Sequence, residues 1–307
     1  MRLYRLLKAG MKYLSSSEYR FNLRTRFGFN DNMPDEEFLK KQFYYRMGYE
    51  LDLDHPKTFN EKLQWLKLHD RRPEYTMMVD KYAVKAYVAQ KIGEQYVIPT
   101  LGVWEHFDEI DFDKLPSQFV LKCTHDSGGG TIVKDKSAMD IRAARKKLES
   151  HLCRNFYYAG REWPYKNVPP QIIAETYLKD DIHNDLMDYK IFCFDGKPKL
   201  IQVDFDRFTN HQRNLYSPEW EYVEGMIEYP TNPARQIPRP ENLADMLRIA
   251  SVLSQEIPHV RVDLYSVSGR TFFGELTFYH GAGFEKFVPF ELGVQLGDWL
   301  KLPDAIS

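Results

Sequence analysis

Phe119-Val-Leu-Lys-Cys-Thr-His-Asp-Ser-Gly-Gly-Gly130 is the stretch whose reading decides the fold. Gln118 to Cys123 alternates like a strand with one apolar face, and Thr131 to Lys134 reads as a second short strand. Between them, consecutive glycines let the backbone approach a ligand closely and expose several N–H donors, which suits phosphate oxygens. Lys122, on the strand that enters the loop, adds a point charge beside the same oxygens. If the two strands pair, Ser127, Gly128, Gly129 and Gly130 form a flap over the ligand. No Gly-Lys-Ser/Thr follows, so this is not a Walker A loop, and taken alone a three-glycine turn also serves as a plain hairpin tip.

A second constellation lies near the C-terminus, where Arg261-Val-Asp263 faces Gly274-Glu-Leu-Thr277 across a turn at Ser266 to Arg270. A turn centred on Gly269 sets Asp263 directly opposite Glu275, with the two Cβ atoms about 5 Å apart on one face. Carboxylates that close repel unless a cation or a proton lies between them. Hard oxygen ligands on a rigid pair suit magnesium bridging phosphates, and Thr277 turns its hydroxyl to the same side. The alternative is an ordinary surface pair neutralised by Arg261. Weaker signals are Glu175 on the strand Gln171 to Tyr177, and Asp188-Tyr-Lys190 on a hairpin strand. Lys190 could be a further phosphate ligand and Glu175 a ribose ligand. Asp204-Phe-Asp206 has the spacing by which some sugar-nucleotide transferases hold a metal, although such tripeptides recur by chance. His125, His183, His211 and His280 show no metal-ligand spacing.

The rest of the chain bounds these readings. It is 43% hydrophobic and 28% charged with a net charge of −2, an ordinary globular composition with no global field to attract nucleic acid. Three widely spaced cysteines, Cys123, Cys153 and Cys193, form no CxxC pair and read as reduced cytosolic thiols. No apolar run approaches the roughly 18 residues that span a bilayer, and no signal peptide is visible. Asn30 to Pro34 reads as a linker before a helical stretch that continues through Tyr45. Thr58-Phe-Asn-Glu61 is a capping box that starts a helix. One further helix is expected over 74–92, another from a Ser137 cap to Leu152, and a third from Leu243 to Glu256. Asp195-Gly196 marks a hairpin between Met187 to Phe194 and Lys199 to Phe205, and 216–240 reads as a long loop.

From Met1 to Arg26 seven basic residues (Arg2, Arg5, Lys8, Lys12, Arg20, Arg24, Arg26) face Glu18 alone. At 100° per residue Arg2, Arg5, Lys8 and Lys12 fall on one side of a helix, and Leu3, Leu6, Leu7, Met11 and Leu14 on the other. Such a helix lies on an anionic membrane surface or packs on the domain with its charges in water.

The order of parts is similar to that of ATP-grasp enzymes: strand lysine, glycine flap, strand glutamate, strand lysine, then an Asp and a Glu on late strands. More narrowly, the chain resembles the teichuronopeptide-biosynthesis (TupA-like) branch. The resemblance is carried by Lys57-Thr-Phe-Asn-Glu-Lys-Leu-Gln-Trp-Leu66, Val79-Asp-Lys-Tyr82, Phe119 to Gly129, Asp188-Tyr-Lys-Ile-Phe192, Arg261-Val-Asp-Leu-Tyr265 and Phe273-Gly-Glu-Leu-Thr277, over roughly residues 40–302. It implies an α+β fold of two lobes clasping ATP. The expected division is a basic N-terminal helix (1–30), a mainly helical region (31–115), a small lobe with the flap (116–180) and a large lobe with the metal carboxylates (181–307). It further implies Lys122 and Lys190 on the phosphates, Ser127 to Gly130 as the flap and Glu175 near the adenosine. His125 joins the nucleotide-binding set, and Arg261 joins the two lysines as a catalytic cation. Asp263 and Glu275, with Thr277, would hold Mg2+. Many ATP-grasp enzymes have Asn where Thr277 stands, and a hydroxyl is the weaker metal ligand, which bears against a second metal.

The reaction implied is ADP-forming ligation. A substrate carboxylate attacks the γ-phosphate to give an acyl phosphate, and an amine then displaces phosphate. The branch's link with surface polysaccharides points to small-molecule or glycan carboxylate and amine substrates. Nucleic acid is not expected as a partner. The expected location is the cytoplasm, with peripheral contact at the inner face of the plasma membrane. The alternatives are a kinase on the same fold, acting on a hydroxyl, and a glycosyltransferase using Asp204 and Asp206.

Overall fold

A computed structural model describes residues 13–179, 186–206, 210–235 and 237–303. The expected amphipathic stripe of Arg2, Leu3, Arg5, Leu6, Leu7, Lys8, Met11 and Lys12 therefore lies outside the described residues, as does His183. Two antiparallel sheets carry the rest. Strands β1 (Thr100–Trp104), β2 (Phe119–Cys123), β3 (Thr131–Val133) and β4 (Ile172–Thr176) form the smaller, in the order β1-β4-β2-β3. Strands β5 (Met187–Phe194), β6 (Lys197–Phe205), β7 (Gln212–Tyr216), β8 (Tyr222–Val223), β10 (Val260–Val267) and β11 (Arg270–Thr277) form the larger, in the order β11-β10-β5-β6-β7-β8. A short ribbon pairs β9 (Met226–Ile227) with β12 (Phe287–Val288).

Period-2 alternation explains both sheets. In β2, Phe119, Leu121 and Cys123 are buried against Leu148 and Ala144 of the helix Ile141–Leu152, leaving Lys122 on the opposite face. In the larger sheet Tyr189, Ile191, Val203, Val262, Leu264 and Leu276 enter the main core with the helix Leu243–Leu253. Their alternate neighbours, Asp188, Lys190, Asp204, Arg261 and Asp263, are polar and yet buried as well. A separate helical cluster of Phe21, Phe38, Leu39, Phe43 and Leu51 closes on Phe284, each phenylalanine contributing about 2–3 kcal/mol by leaving water.

The capping box is present: Thr58 Oγ accepts from Glu61 N at 3.2 Å while Glu61 Oε2 accepts from Thr58 N at 2.8 Å, opening the helix Phe59–His69. The single helix expected over 74–92 is two, Glu74–Val79 and Ala83–Ile92. The break comes at Asp80, whose carboxylate accepts from Tyr82 N at 2.8 Å and Ala83 N at 3.2 Å and so starts a new helix in mid-run. Asp140, not Ser137, caps the helix Ile141–Leu152, accepting from Ala143 N at 2.9 Å. The smaller sheet begins before residue 116, because β1 pairs with β4. The stretch read as a long loop contains β8 and β9.

Candidate functional site

The last hairpin sets the geometry. Asp263 pairs with Glu275 as the turn symmetry predicts, but by a different route. The turn is two residues, Ser268-Gly269, both with positive φ (50° and 77°), so Val267 pairs with Arg270 and Leu264 with Phe273. The register then slips by one at Gly274, which has no partner, and Asp263 meets Glu275. The bulge favours glycine: a Cβ there would lie 3.0 Å from the Asp263 carbonyl oxygen and 3.1 Å from the Tyr265 ring, so one of them must give way to any side chain.

Across the sheet Asp263 pairs with Lys190 on β5, and Asp188 on β5 pairs with Asp204 on β6. One face thus carries a lattice of ions. The Arg261 fork holds Asp263 at 2.6 Å and 2.7 Å and reaches the Thr277 hydroxyl at 3.1 Å. Lys190 donates to Asp263 at 2.9 Å and also to Asp188. Arg213 links Asp204 at 2.6 Å to Glu285 at 2.8 Å, and His280 meets Glu285 at 2.6 Å. Glu275, 39% exposed, stays at 3.6 Å from Arg261 and accepts from Thr277 at 3.4 Å. Burial opposes the charge on Asp263, but Arg261 and Lys190 outweigh it and hold the carboxyl below its usual range. Burial likewise opposes the Lys190 charge, and Asp188 and Asp263 raise its pKa in spite of it. Five carboxylates (Asp188, Asp204, Asp263, Glu275, Glu285) face three permanent cations (Lys190, Arg213, Arg261), an excess of two negative charges.

The smaller sheet presents the opposite sign. Glu175 on β4 receives Lys122 at 2.5 Å and Lys85 at 2.6 Å. Burial opposes its charge, and the two lysines still keep its pKa low. Lys81 donates to the Asp126 carbonyl at the root of the flap. Burial lowers its pKa, and the next influences on it are Glu275 and then Lys122, so the two walls are electrostatic neighbours. Lys81, Lys85 and Lys122 outnumber Glu175. The two strands pair as expected, Leu121 with Thr131, and a Cβ on Gly129 would lie 2.5 Å from Asp126 Oδ2, so a side chain there would displace that carboxylate.

Lys190, Arg261, Asp263, Glu275 and Thr277 thus share one wall, and Lys122, Glu175 and the 127–130 flap share the other. His125 turns elsewhere: its Nε2 lies 3.2 Å from the carbonyl oxygen of His151 and 3.1 Å from that of Arg154. Arg261 spends donors on Asp263, Thr277 and His280. Asp204 is taken by Arg213 and Gln202, and Asp206 by Arg235. Sequence reasoning passed over Lys81 and Lys85. Lys81 sits in Val79-Asp-Lys-Tyr82, a segment already singled out, but its contact with the flap root follows from the chain turning at Asp80, which no sequence rule signals.

Donor chemistry alone admits a divalent cation. Asp263 accepts three hydrogen bonds on two oxygens, so one of about four lone-pair positions remains, and Glu275 is largely unengaged. Among the described residues no group of three or more His, Cys, Asp or Glu converges as a metal cage. Magnesium commonly takes one or two carboxylates and completes its shell with phosphate oxygens and water, which this pair fits.

Comparison with known proteins gives the following. No curated protein matches the chain. Among solved structures, the ATP-grasp ligase PsnB, complexed with a phosphomimetic variant of its minimal precursor, Mg and ADP, is 12% identical with a TM-score of 0.38, over 78% of this chain and 65% of its own. Phosphoribosylamine–glycine ligase from Thermotoga maritima is 13% identical with a TM-score of 0.41, over 66% of this chain and 48% of its own. D-alanine–D-alanine ligase from Bacillus anthracis is 16% identical with a TM-score of 0.39, over 86% and 83%. The chain thus spans about half to two thirds of the length of the first two. Likenesses this low transfer no chemistry to this chain. The family model described as TupA-like ATPgrasp matches residues 61–301, most of the sequence. The chain belongs to the TupA-like ATP-grasp family.

Proposed function

We propose that the chain is an ATP- and Mg2+-dependent, ADP-forming carboxylate–amine ligase. The observation that supports this most is the pairing of opposite walls: a carboxylate row with two uncompensated negative charges beside a lysine-rich wall and a glycine flap. A nucleotide triphosphate with its metal has the complementary pattern, anionic oxygens for the lysines and a divalent charge for the carboxylates.

In this reading Lys122 and Lys190 hold phosphate oxygens, with Lys81 and Lys85 beside them, and Glu175 sets the height of Lys122 on its strand. The flap backbone covers the transferring phosphoryl group and keeps water out. Asp263 and Glu275 would hold magnesium, which supplies charge neutralisation on the phosphates. Arg261 fixes the Asp263 carboxylate in one orientation, so the site needs little reorganisation when charge moves. The substrate carboxylate adds to the γ-phosphorus as ADP leaves, and an amine then displaces phosphate from the acyl phosphate, losing its proton. No protein nucleophile is required. Sugar acids, amino acids and their glycan conjugates of surface-polysaccharide assembly are the substrates proposed, on the family's association alone.

Isotope transfer tests the reaction type. With a carboxylate-18O acid from a panel of sugar acids and amino acids, a ligase must pass one 18O into the released phosphate, whereas a kinase passes none. ADP formation from a polyol with no 18O in phosphate would replace the ligase by a kinase. Turnover of a sugar nucleotide in place of ATP would favour the glycosyltransferase instead.

Peripheral membrane contact is proposed as well. Leu14 (80% exposed) stands in water beside Arg20, and Phe27 (67%) and Phe29 (71%) stand in water just after Arg24 and Arg26. No described helix is long and apolar enough to cross a membrane. Attachment should appear as salt-sensitive co-sedimentation with anionic vesicles. Binding unaffected by Phe27→Glu with Phe29→Glu, or no binding at low salt, would remove this reading.

A further inference from the structure

A cavity of about 440 Å³ opens between the N-terminal helical region and the root of the flap. Asp126 and Ser127 reach it from the flap, Arg26 and Asp31 from the helix Ser17–Arg26 and the turn after it, and Arg154 from the end of the helix Ile141–Leu152. Its volume falls within the range of small-ligand sites.

The charges in it are of an unusual kind for this molecule. Arg161, Arg213 and Arg261, its buried arginines, all have carboxylate or carbonyl partners. Arg26 and Arg154 line one cavity, and among the described residues neither guanidinium has a hydrogen bond or an ion pair. An unpaired guanidinium fork is shaped for a planar carboxylate. Gln42 adds a second demand. Its Nε2 donates to the Ala159 carbonyl at 3.1 Å, which fixes the amide orientation, and its Oε1 is buried with no partner. A buried acceptor left without a donor costs about 1–3 kcal/mol, and a ligand N–H or O–H would remove that cost. Asp31, on the same lining, also lacks a basic partner among the described residues.

We propose that this cavity binds a small carboxylic acid that also bears ammonium or hydroxyl donors, its carboxylate on Arg26 and Arg154 and a donor on Gln42. Ser127 belongs to both the cavity and the flap, so a ligand seated here lies next to the nucleotide cleft. Calling that ligand a substrate rests on the ligase reading above; the binding itself does not. The two arginines hold a carboxylate by ion pairing, so the group they hold is an anchor and another group of the ligand faces the reaction.

Calorimetric titration of the full chain without nucleotide is the test, with alanine, gluconate, sorbitol and inorganic phosphate as probes. Alanine and gluconate separate ammonium from hydroxyl donors, and sorbitol removes the carboxylate. The expected result is that at least one acid binds, that sorbitol does not, and that Arg154→Ala and Arg26→Ala each weaken the acid at least tenfold. Both side chains are exposed, so the variants should fold, and their Mg-ATP binding should stay within about twofold of wild type. Acid binding untouched by either substitution overturns the proposal. So does the absence of heat at about 20 mM acid, which would saturate a site of about 1 mM dissociation constant. Phosphate binding with no carboxylate binding would make the cavity a general anion patch and overturn it too. If Mg-ATP fails to bind wild type while the acid result stands, the ligase reading falls and the cavity assignment remains.

Discussion

Gly274→Ala probes how the bulge holds the two candidate metal carboxylates in register. Gly274 has no positive φ, so alanine meets no backbone penalty; the obstacle is steric. The new Cβ would lie 3.0 Å from the Asp263 carbonyl oxygen and 3.1 Å from the Tyr265 ring, and a strand carbonyl cannot swing aside as a side-chain tip can. Overpacking of this sort costs about 1–3 kcal/mol, and stiffening of the unfolded chain returns about 0.4–1 kcal/mol. A net loss of about 1–2 kcal/mol, over an unfolding entropy of about 0.6 kcal/mol/K for a chain of this length, lowers Tm by about 2–3 °C. A second effect of similar size should fall on the ligand. Relief of the clash moves Asp263 relative to Glu275, and a tenfold loss of Mg-ATP affinity removes about 1.4 kcal/mol of ligand-induced stabilisation, roughly another 2 °C. Differential scanning calorimetry with and without Mg-ATP reads both quantities. Gly130→Ala is the thermal control, since its Cβ meets nothing closer than 3.9 Å. A Gly274→Ala protein that melts with wild type and keeps the full Mg-ATP shift would refute the bulge as the device that positions these carboxylates.

Two other outcomes follow from the ion pairs. Lys122→Ala should weaken ATP by about 1.5–3 kcal/mol, read by titration. Adding Lys85→Ala should destabilise the fold by about 3–5 kcal/mol, because Glu175 is then buried without a partner; Glu175→Gln on that background should restore the melting temperature and leave ATP binding lost. Stability should also fall in acid through Asp204, for which burial opposes ionisation but Arg213 prevails and holds the pKa at about 2. The folded value lies below the unfolded one, so the contribution, about 2 kcal/mol, is complete above roughly pH 5 and is lost as pH falls toward 2. Denaturant melts of Asp204→Asn should show a flatter acid limb than wild type, and an unchanged limb would assign the acid sensitivity to other groups.

Local rules made part of the molecule legible. Thr58 and Glu61 satisfy each other's backbone donors whatever surrounds them, so the helix start could be read directly. Asp195-Gly196 closes the β5–β6 hairpin because both residues take positive φ, 48° and 75°. Pattern alone could not reveal the break at Asp80, where a capping carboxylate interrupts a run that is helical in period on either side. It also missed β1, a strand whose place is set by partners on β4 about 70 residues later. Within the candidate site, the face of each strand is readable from alternation, which is how Asp263 and Glu275 are set together and Lys122 opposite the buried face of its strand. Side-chain direction in a loop is not, and His125 turns to carbonyls of a helix end that no spacing rule connects to it. Lys81 and Lys85 look like solvated helix residues in sequence; only the packing of the turn before the helix Ala83–Ile92 against the flap root, and of that helix beside β4, gives them partners.

Titration calorimetry of ATP into the protein, with and without Mg2+, in wild type and Glu275→Gln, tests the central claim most directly. Glu275 is part exposed, its one ion pair, to Arg261, is long at 3.6 Å, and Arg261 keeps Asp263 as its close partner, so the substitution should spare the fold. Wild type should bind one ATP per chain, tightened at least tenfold by Mg2+, with that Mg2+-dependent gain abolished in Glu275→Gln and metal-free binding retained. A wild-type protein that takes up no ATP, or a Glu275→Gln protein that keeps the whole Mg2+ gain, would contradict it.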